Sequence, residues 1–206
     1  MHISEGVLSA PVLVTGAALA AAGISVGLKK MDPEKIPQVA VLSSAFFVAS
    51  LIHVPIGPSS VHLILNGING LLLGWLCFPS ILVALALQAI LFQFGGITVL
   101  GINTVNMALP GVICYYLFSR LVTHERKVIS LASGFACGFL AVFLSAILVA
   151  LSLVWAEGSF TEAAELIVVA HLPVMIIEGL ITLFCVAFLK RVKPELLGGR
   201  HEKRAW

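Results

Sequence analysis

Residues 36–119 read IPQVAVLSSAFFVASLIHVPIGPSSVHLILNGINGLLLGWLCFPSILVALALQAILFQFGGITVLGINTVNMALPGVICYYLFS, 84 consecutive positions without Asp, Glu, Lys or Arg. A helix needs about 20 apolar residues to cross a bilayer, so this stretch has room for several crossings. Across the whole chain 60% of residues are hydrophobic and 11% charged, whereas soluble domains average about 45–50% and about 25%. So few charges cannot cover a water-facing surface. The chain is an integral membrane protein.

The apolar runs are continuous rather than alternating, which predicts spanning helices and excludes a membrane β-barrel. Gly and Pro punctuate them where turns at the membrane surface are expected. The reading is an all-α polytopic bundle, one integral membrane domain over residues 1–206, with spans near 7–28, 36–52, 60–76, 79–94, 104–122, 128–155 and 172–191.

The 12 basic residues form three clusters: Lys29, Lys30 and Lys35; Arg120, Arg126 and Lys127; and Lys190, Arg191, Lys193, Arg200, Lys203 and Arg204. Cytoplasmic loops carry the Lys and Arg excess, so all three clusters are expected inside. An even number of crossings must separate consecutive clusters. The total is then about seven, with the N-terminus outside and the C-terminus cytoplasmic. The first residues lack the basic start and short apolar core of a cleaved leader, so Met1 is expected to persist.

This topology turns residues 1–6, 53–60, 94–103 and 156–171 outward. They hold no Lys or Arg but include Glu5, Glu157, Glu162 and Glu165, a mildly cation-attracting mouth. Of the six histidines, His124 and His201 lie among basic residues; His2, His53, His62 and His171 lie in or beside the outer segments. Imidazoles near membrane depth are candidate site residues.

The first dipeptide has a specific chemistry. A free Met1 amine, the His2 amide nitrogen and the His2 imidazole close two fused chelate rings on one metal, with the amide proton displaced by the ion. One more imidazole completes a planar set of four nitrogens, a geometry suited to Ni(II) or Cu(II). His62 is the preferred fourth ligand, because the turn-rich Pro55-Ile56-Gly57-Pro58-Ser59-Ser60 run places it near the start of a helix. His53, at the other end of that loop, is second in rank. Ser59, Ser60, Asn66 and Asn69 are candidates to orient the imidazoles, or else to bond between helices.

Other features are set aside or left open. Cys77, Cys114, Cys137 and Cys185 lack C-x-x-C spacing and read as buried apolar side chains. Glu178, the sole formal charge between Glu165 and Lys190, is an intramembrane carboxylate that bonds to neighbours or helps move a proton or ion. Ala17 with Ala21, Ala18 with Ala22, and Gly134 with Gly138 have the small-residue spacing of close helix contacts, within this chain or with a partner. No H-E-x-x-H pair supports an intramembrane metalloenzyme, and the protein is not expected to be an enzyme. A vitamin-type cargo would favour an aromatic-lined pocket, and only 8% of residues are aromatic. No phosphate-cradling Gly-x-x-x-x-Gly-Lys-Ser/Thr occurs, so energy for transport must come from elsewhere.

The opening Met1-His2-Ile3-Ser4-Glu5-Gly6 resembles the N-terminal motif of the CbiM/NikM family, the metal-binding membrane subunits of cobalt and nickel energy-coupling-factor transporters. The segment Gly57–Gly74 around His62, the run Gly95-Gly96-Ile97-Thr98 through Gly101-Ile102-Asn103-Thr104-Val105-Asn106-Met107, and the pair His171…Glu178-Gly179 are also similar. The resemblance implies about seven helices and a square-planar site made by the Met1 amine, the His2 amide and imidazole, and His62. It adds Asn103, His171 and Glu178 as candidate outer partners of that site. It implies a transported ion, Ni(II) or Co(II), and no cofactor. The implied partners are a transmembrane coupling subunit, ATPase subunits and a small auxiliary membrane subunit in a bacterial or archaeal cytoplasmic membrane, with no nucleic acid. Here the loop reads Gly-Pro-Ser-Ser-Val-His, where many relatives are expected to carry Gly-Thr-Ser-Gly-His.

Overall fold

The computed structural model describes residues 1–56 and 59–197. Gly57, Pro58 and the basic residues Arg200, Lys203 and Arg204, with His201, lie outside the described residues.

Small residues seat the first long helix. α1 (Ala10–Lys29) carries Pro11 in its first turn, where a missing amide proton is harmless because that donor has no helical partner. Gly16, Ala20, Gly23 and Gly27 are buried along one face. A Cβ at Gly16 would lie 2.6 Å from the Ile102 side chain, and one at Gly23 2.4 Å from the Phe78 ring. The helix thus lies directly on α4 (Cys77–Phe92) and α5 (Leu100–Val122). Between helices in lipid, close backbone approach supplies packing that apolar burial alone does not. Ala17, Ala18, Ala21 and Ala22 are on the exposed side.

α5 is the central helix, packed against α1, α4, α3 (Asn66–Leu73) and α6 (Lys127–Ala156). Glycines again allow the approach: a Cβ on Gly67 would meet Gly138 of α6 at 2.7 Å, and one on Gly70 would meet the Gly111 carbonyl of α5 at 2.1 Å. α8 (Leu172–Val192) closes the bundle against α6, where Gly134 and Gly138 both face it. That Gly pair therefore serves packing within the chain.

The basic clusters share one end of the bundle. Lys30 sits over the Trp75 ring, 5.9 Å from its centroid, and the Trp75 indole donates to the Tyr116 hydroxyl at 2.9 Å. Lys190 donates to the His124 carbonyl at 2.7 Å. The ends of α1, α5 and α8 and the turn between α3 and α4 therefore lie together.

The helices are long and apolar enough to cross a membrane in five places among the described residues: 10–29, 66–92, 100–122, 127–156 and 161–192. α2 (Ile36–Ala49), at 14 residues, is shorter. The expected span 60–76 is not a single helix. β1 (His53–Ile56) and β2 (Ser59–His62) pair as an antiparallel hairpin with His53 opposite His62, and the chain then turns into the eight-residue α3. Pro55 and the β-branched Val54, Ile56 and Val61 favour extended backbone there. Leu65, at φ 53°, makes the turn, and the amides of Ile64 and Leu65 donate to Glu178 instead of entering a helix. Irregular backbone at membrane depth is tolerated where protein satisfies it. The expected outer loop 156–171 is also largely helical: α7 (Thr161–Ala170) runs up to His171, and Pro173 at the start of α8 forces the break.

Candidate metal centre

Residues 1–9 fold back into the end of the bundle opposite the basic clusters. Met1 and Ile3 are fully buried and join the main apolar core. The Met1 amino group donates to the Ser60 carbonyl on β2. Asn103 grips Ile3 twice: its Oδ1 accepts the Ile3 amide at 3.0 Å and its Nδ2 donates to the Ile3 carbonyl at 3.1 Å. Further out, the Glu5 amide donates to the Gly95 carbonyl at 3.0 Å, and the Glu5 carboxylate accepts from the Thr98 amide and hydroxyl at 2.9 and 3.1 Å. Those bonds hold the Glu5 carboxyl below the usual carboxylate range. Gly95 adopts φ +74°, and a Cβ there would lie 3.0 Å from Asn103 Nδ2.

This clamp brings His2 and His62 together, with ring centroids 4.5 Å apart. A metal–imidazole bond is about 2 Å long, so one ion can take a nitrogen from each ring. His2 is buried, and its Nε2 lies 2.8 Å from Gln88 Oε1. His62 is buried with Nδ1 2.7 Å from the Leu63 carbonyl and Nε2 unpartnered. A carbonyl only accepts, so Nδ1 carries the His62 proton and Nε2 presents a lone pair. All three groups lie outside the spanning helices, and all are poor bases. Burial pushes the Met1 amine well below its ordinary 8.0. Burial, then the adjacent Met1 amino charge, lowers His2 to about 3. His62 is lowered for the same reasons. Neutral nitrogens are what a metal needs.

His53 sits opposite His62 in the hairpin but is only half-buried; its ring packs edge-on against Phe94 at 4.3 Å, and Nδ1 lies 3.2 Å from the Leu51 carbonyl. The polar residues near the histidines divide by role. Ser60 acts through its main-chain carbonyl, and the Ser59 hydroxyl is buried without a partner. Asn66 does not bond an imidazole; it ties α3 to Met107 at 3.0 Å and to Ser145 at 2.8 Å. Asn69 accepts from Ser80 at 3.4 Å, likewise between helices. Each keeps one buried polar atom without a partner, Asn66 Oδ1 and Asn69 Nδ2. His171 is buried, with Nδ1 2.6 Å from the Ile167 carbonyl and Nε2 free, and Glu178 anchors the turn after β2.

Among the described residues no three His, Cys, Asp or Glu side chains group as metal ligands. Gln88 and Phe94 escaped the reading of the sequence. Gln88 had a visible cue: it is the only amide side chain in the apolar run Ile81–Phe92, and such a group needs a partner.

Residues 2–196 match the family model described as the cobalt uptake substrate-specific transmembrane region, CbiM. The chain belongs to the CbiM family. A relative from Haemophilus influenzae, named for metal transport, is 45% identical over 199 residues, 96% of this chain and 97% of that one. The fused nickel transport protein NikMN of Rhodobacter capsulatus is 32% identical, with 100% of this chain aligned to 66% of that protein. A crystal structure of a truncated transition metal transporter superposes with TM-score 0.74 at 27% identity, covering 93% of this chain and 99% of the other. This CbiM-family chain is a multi-pass cell-membrane protein, a membrane component of cobalt or nickel transport.

Proposed function

We propose that the chain captures Ni(II) or Co(II) on the outer side through four nitrogens: the Met1 amine, the deprotonated His2 amide, His2 Nδ1 and His62 Nε2. The observation that carries this reading is the buried Met1 amine on Ser60, beside two close imidazoles of which His62 keeps an unpartnered Nε2. Amine, amide and Nδ1 of the first two residues close five- and six-membered rings, and His62 supplies the fourth corner. A tetragonal nitrogen set suits nickel, and cobalt shares the preference for imidazole ligands less strongly.

The basic end, with Lys30, Arg120 and Lys190, is then cytoplasmic and the Met1 end external. Inward delivery is driven by a transmembrane coupling subunit and ATPase subunits, with a small auxiliary membrane subunit. The fusion in Rhodobacter capsulatus, of which the aligned region is 66%, supports a chain that works joined to further parts.

The test is metal content of the purified protein with its natural start and with one extra residue before Met1. The reading expects one tightly bound ion per chain in the first and none in the second, because the extension removes a chelate ring. Equal occupancy would reject the ligand set.

A further inference from the structure

We infer that Gln88 is a positioning residue that fixes which nitrogen of His2 faces the ion. Gln88 is fully buried on α4 and touches His2 directly, its Oε1 2.8 Å from His2 Nε2. Its Nε2 donates to the Phe47 carbonyl at 3.0 Å and to the Ser50 hydroxyl oxygen at 2.5 Å. The Ser50 hydroxyl in turn donates to the Phe46 carbonyl at 2.7 Å.

Two main-chain carbonyls at the end of α2 therefore set the polarity of the whole chain of bonds. Neither carbonyl can donate, so the Gln88 amide group must face Phe47 and Ser50 with its NH2, and must turn its oxygen to His2. An oxygen only accepts, which assigns the His2 proton to Nε2 and leaves the lone pair on Nδ1. Nδ1 is the nitrogen that closes a six-membered ring with the His2 amide; Nε2 is too far along the ring to do so. The hydrogen bond made by one imidazole nitrogen decides which nitrogen binds metal, and an acceptor on the outer nitrogen also makes the inner one more basic. Complementary wiring holds the second ring: Leu63 takes the Nδ1 proton of His62, so Nε2 faces inward. The hydrogen bonds thus leave opposite nitrogens of the two rings, His2 Nδ1 and His62 Nε2, free for a metal.

The inference rests on the four-nitrogen reading, and the experiment separates the two. Co(II) affinity and the visible absorption of the Co(II)-loaded protein are compared for wild type, Gln88→Leu, Gln88→Glu and His2→Ala. Gln88→Leu removes the acceptor and is expected to weaken Co(II) binding about 10- to 100-fold and to alter the spectrum. Gln88→Glu restores the acceptor on His2 but sets an oxygen against the Phe47 carbonyl, so it should recover affinity and spectrum only in part. Wild-type affinity and spectrum in Gln88→Leu, with binding lost in His2→Ala, would overturn the role of Gln88 alone; wild-type binding in His2→Ala would overturn the ligand reading. Should Gln88→Leu fail to fold, imidazole 15N shifts of the metal-free wild type still decide: an unprotonated Nδ1 on His2 supports the inference, and a protonated Nδ1 overturns it.

Discussion

Glu178 accepts the main-chain amide of Ile64, 114 residues earlier in the chain, at 2.6 Å, and its same oxygen takes the Leu65 amide at 2.8 Å. A carboxylate deep in α8 thereby ends the strand that carries His62 and starts α3. Removing it leaves both amides without their acceptor, and an unsatisfied buried amide costs about 1–3 kcal/mol. Glu178→Ala is expected to lower thermal stability and metal affinity together, whereas Glu178→Gln keeps an accepting oxygen and should retain most of both. Thermal unfolding and Co(II) titration of the two variants check this.

His53 and His62 face each other in the hairpin, yet only His62 is buried with a free Nε2. His62→Ala should therefore weaken Co(II) binding by more than the about 10–100-fold typical of an outer-shell partner. His53→Ala should leave affinity near wild type. Equilibrium titration of purified variants distinguishes them; equal losses would put His53 among the ligands.

Proton release upon binding is expected to be about one per ion near neutral pH. Burial disfavours the charged forms of the Met1 amine, His2 and His62, so the proton to be displaced is that of the His2 amide. Calorimetry in buffers of different ionisation enthalpy measures the count, and affinity should fall about tenfold for each unit of acidification. The metal-free fold has its own dependence. His2 has a folded value near 3 against 6.5 ordinarily, so the unfolded chain binds more protons between those values. Stability of the metal-free protein should fall as pH drops through that window.

Asn103 is the clamp on Ile3, accepting its amide and donating to its carbonyl. Asn103→Asp keeps the acceptor but sets an oxygen against the Ile3 carbonyl. The N-terminal segment should loosen, with faster ion release and little change in overall helix content. Stopped-flow exchange with a chelator measures the release rate, and circular dichroism the helix content.

The membrane class and the clustering of basic residues toward one end were legible in the sequence, because each depends on residue type and order alone; the same is true of Met1-His2 as a candidate chelator. Charge-free length reports on the bilayer, and fused chelate rings need only two adjacent residues. The hairpin was not legible. Its residues are apolar enough for a span, and only the carboxylate of Glu178, distant in sequence, satisfies the amides that a helix would otherwise have paired. The sequence ranked His62 above His53 without deciding between them, since both lie in one loop and differ in burial rather than in chemistry. Gln88 stood out as polar, but its partner at position 2 did not. Order along the chain determined which candidate ligand atoms lie side by side; tertiary packing decided which of them are buried, which hydrogen bonds each ring makes, and that the His2 and His62 rings lie 4.5 Å apart.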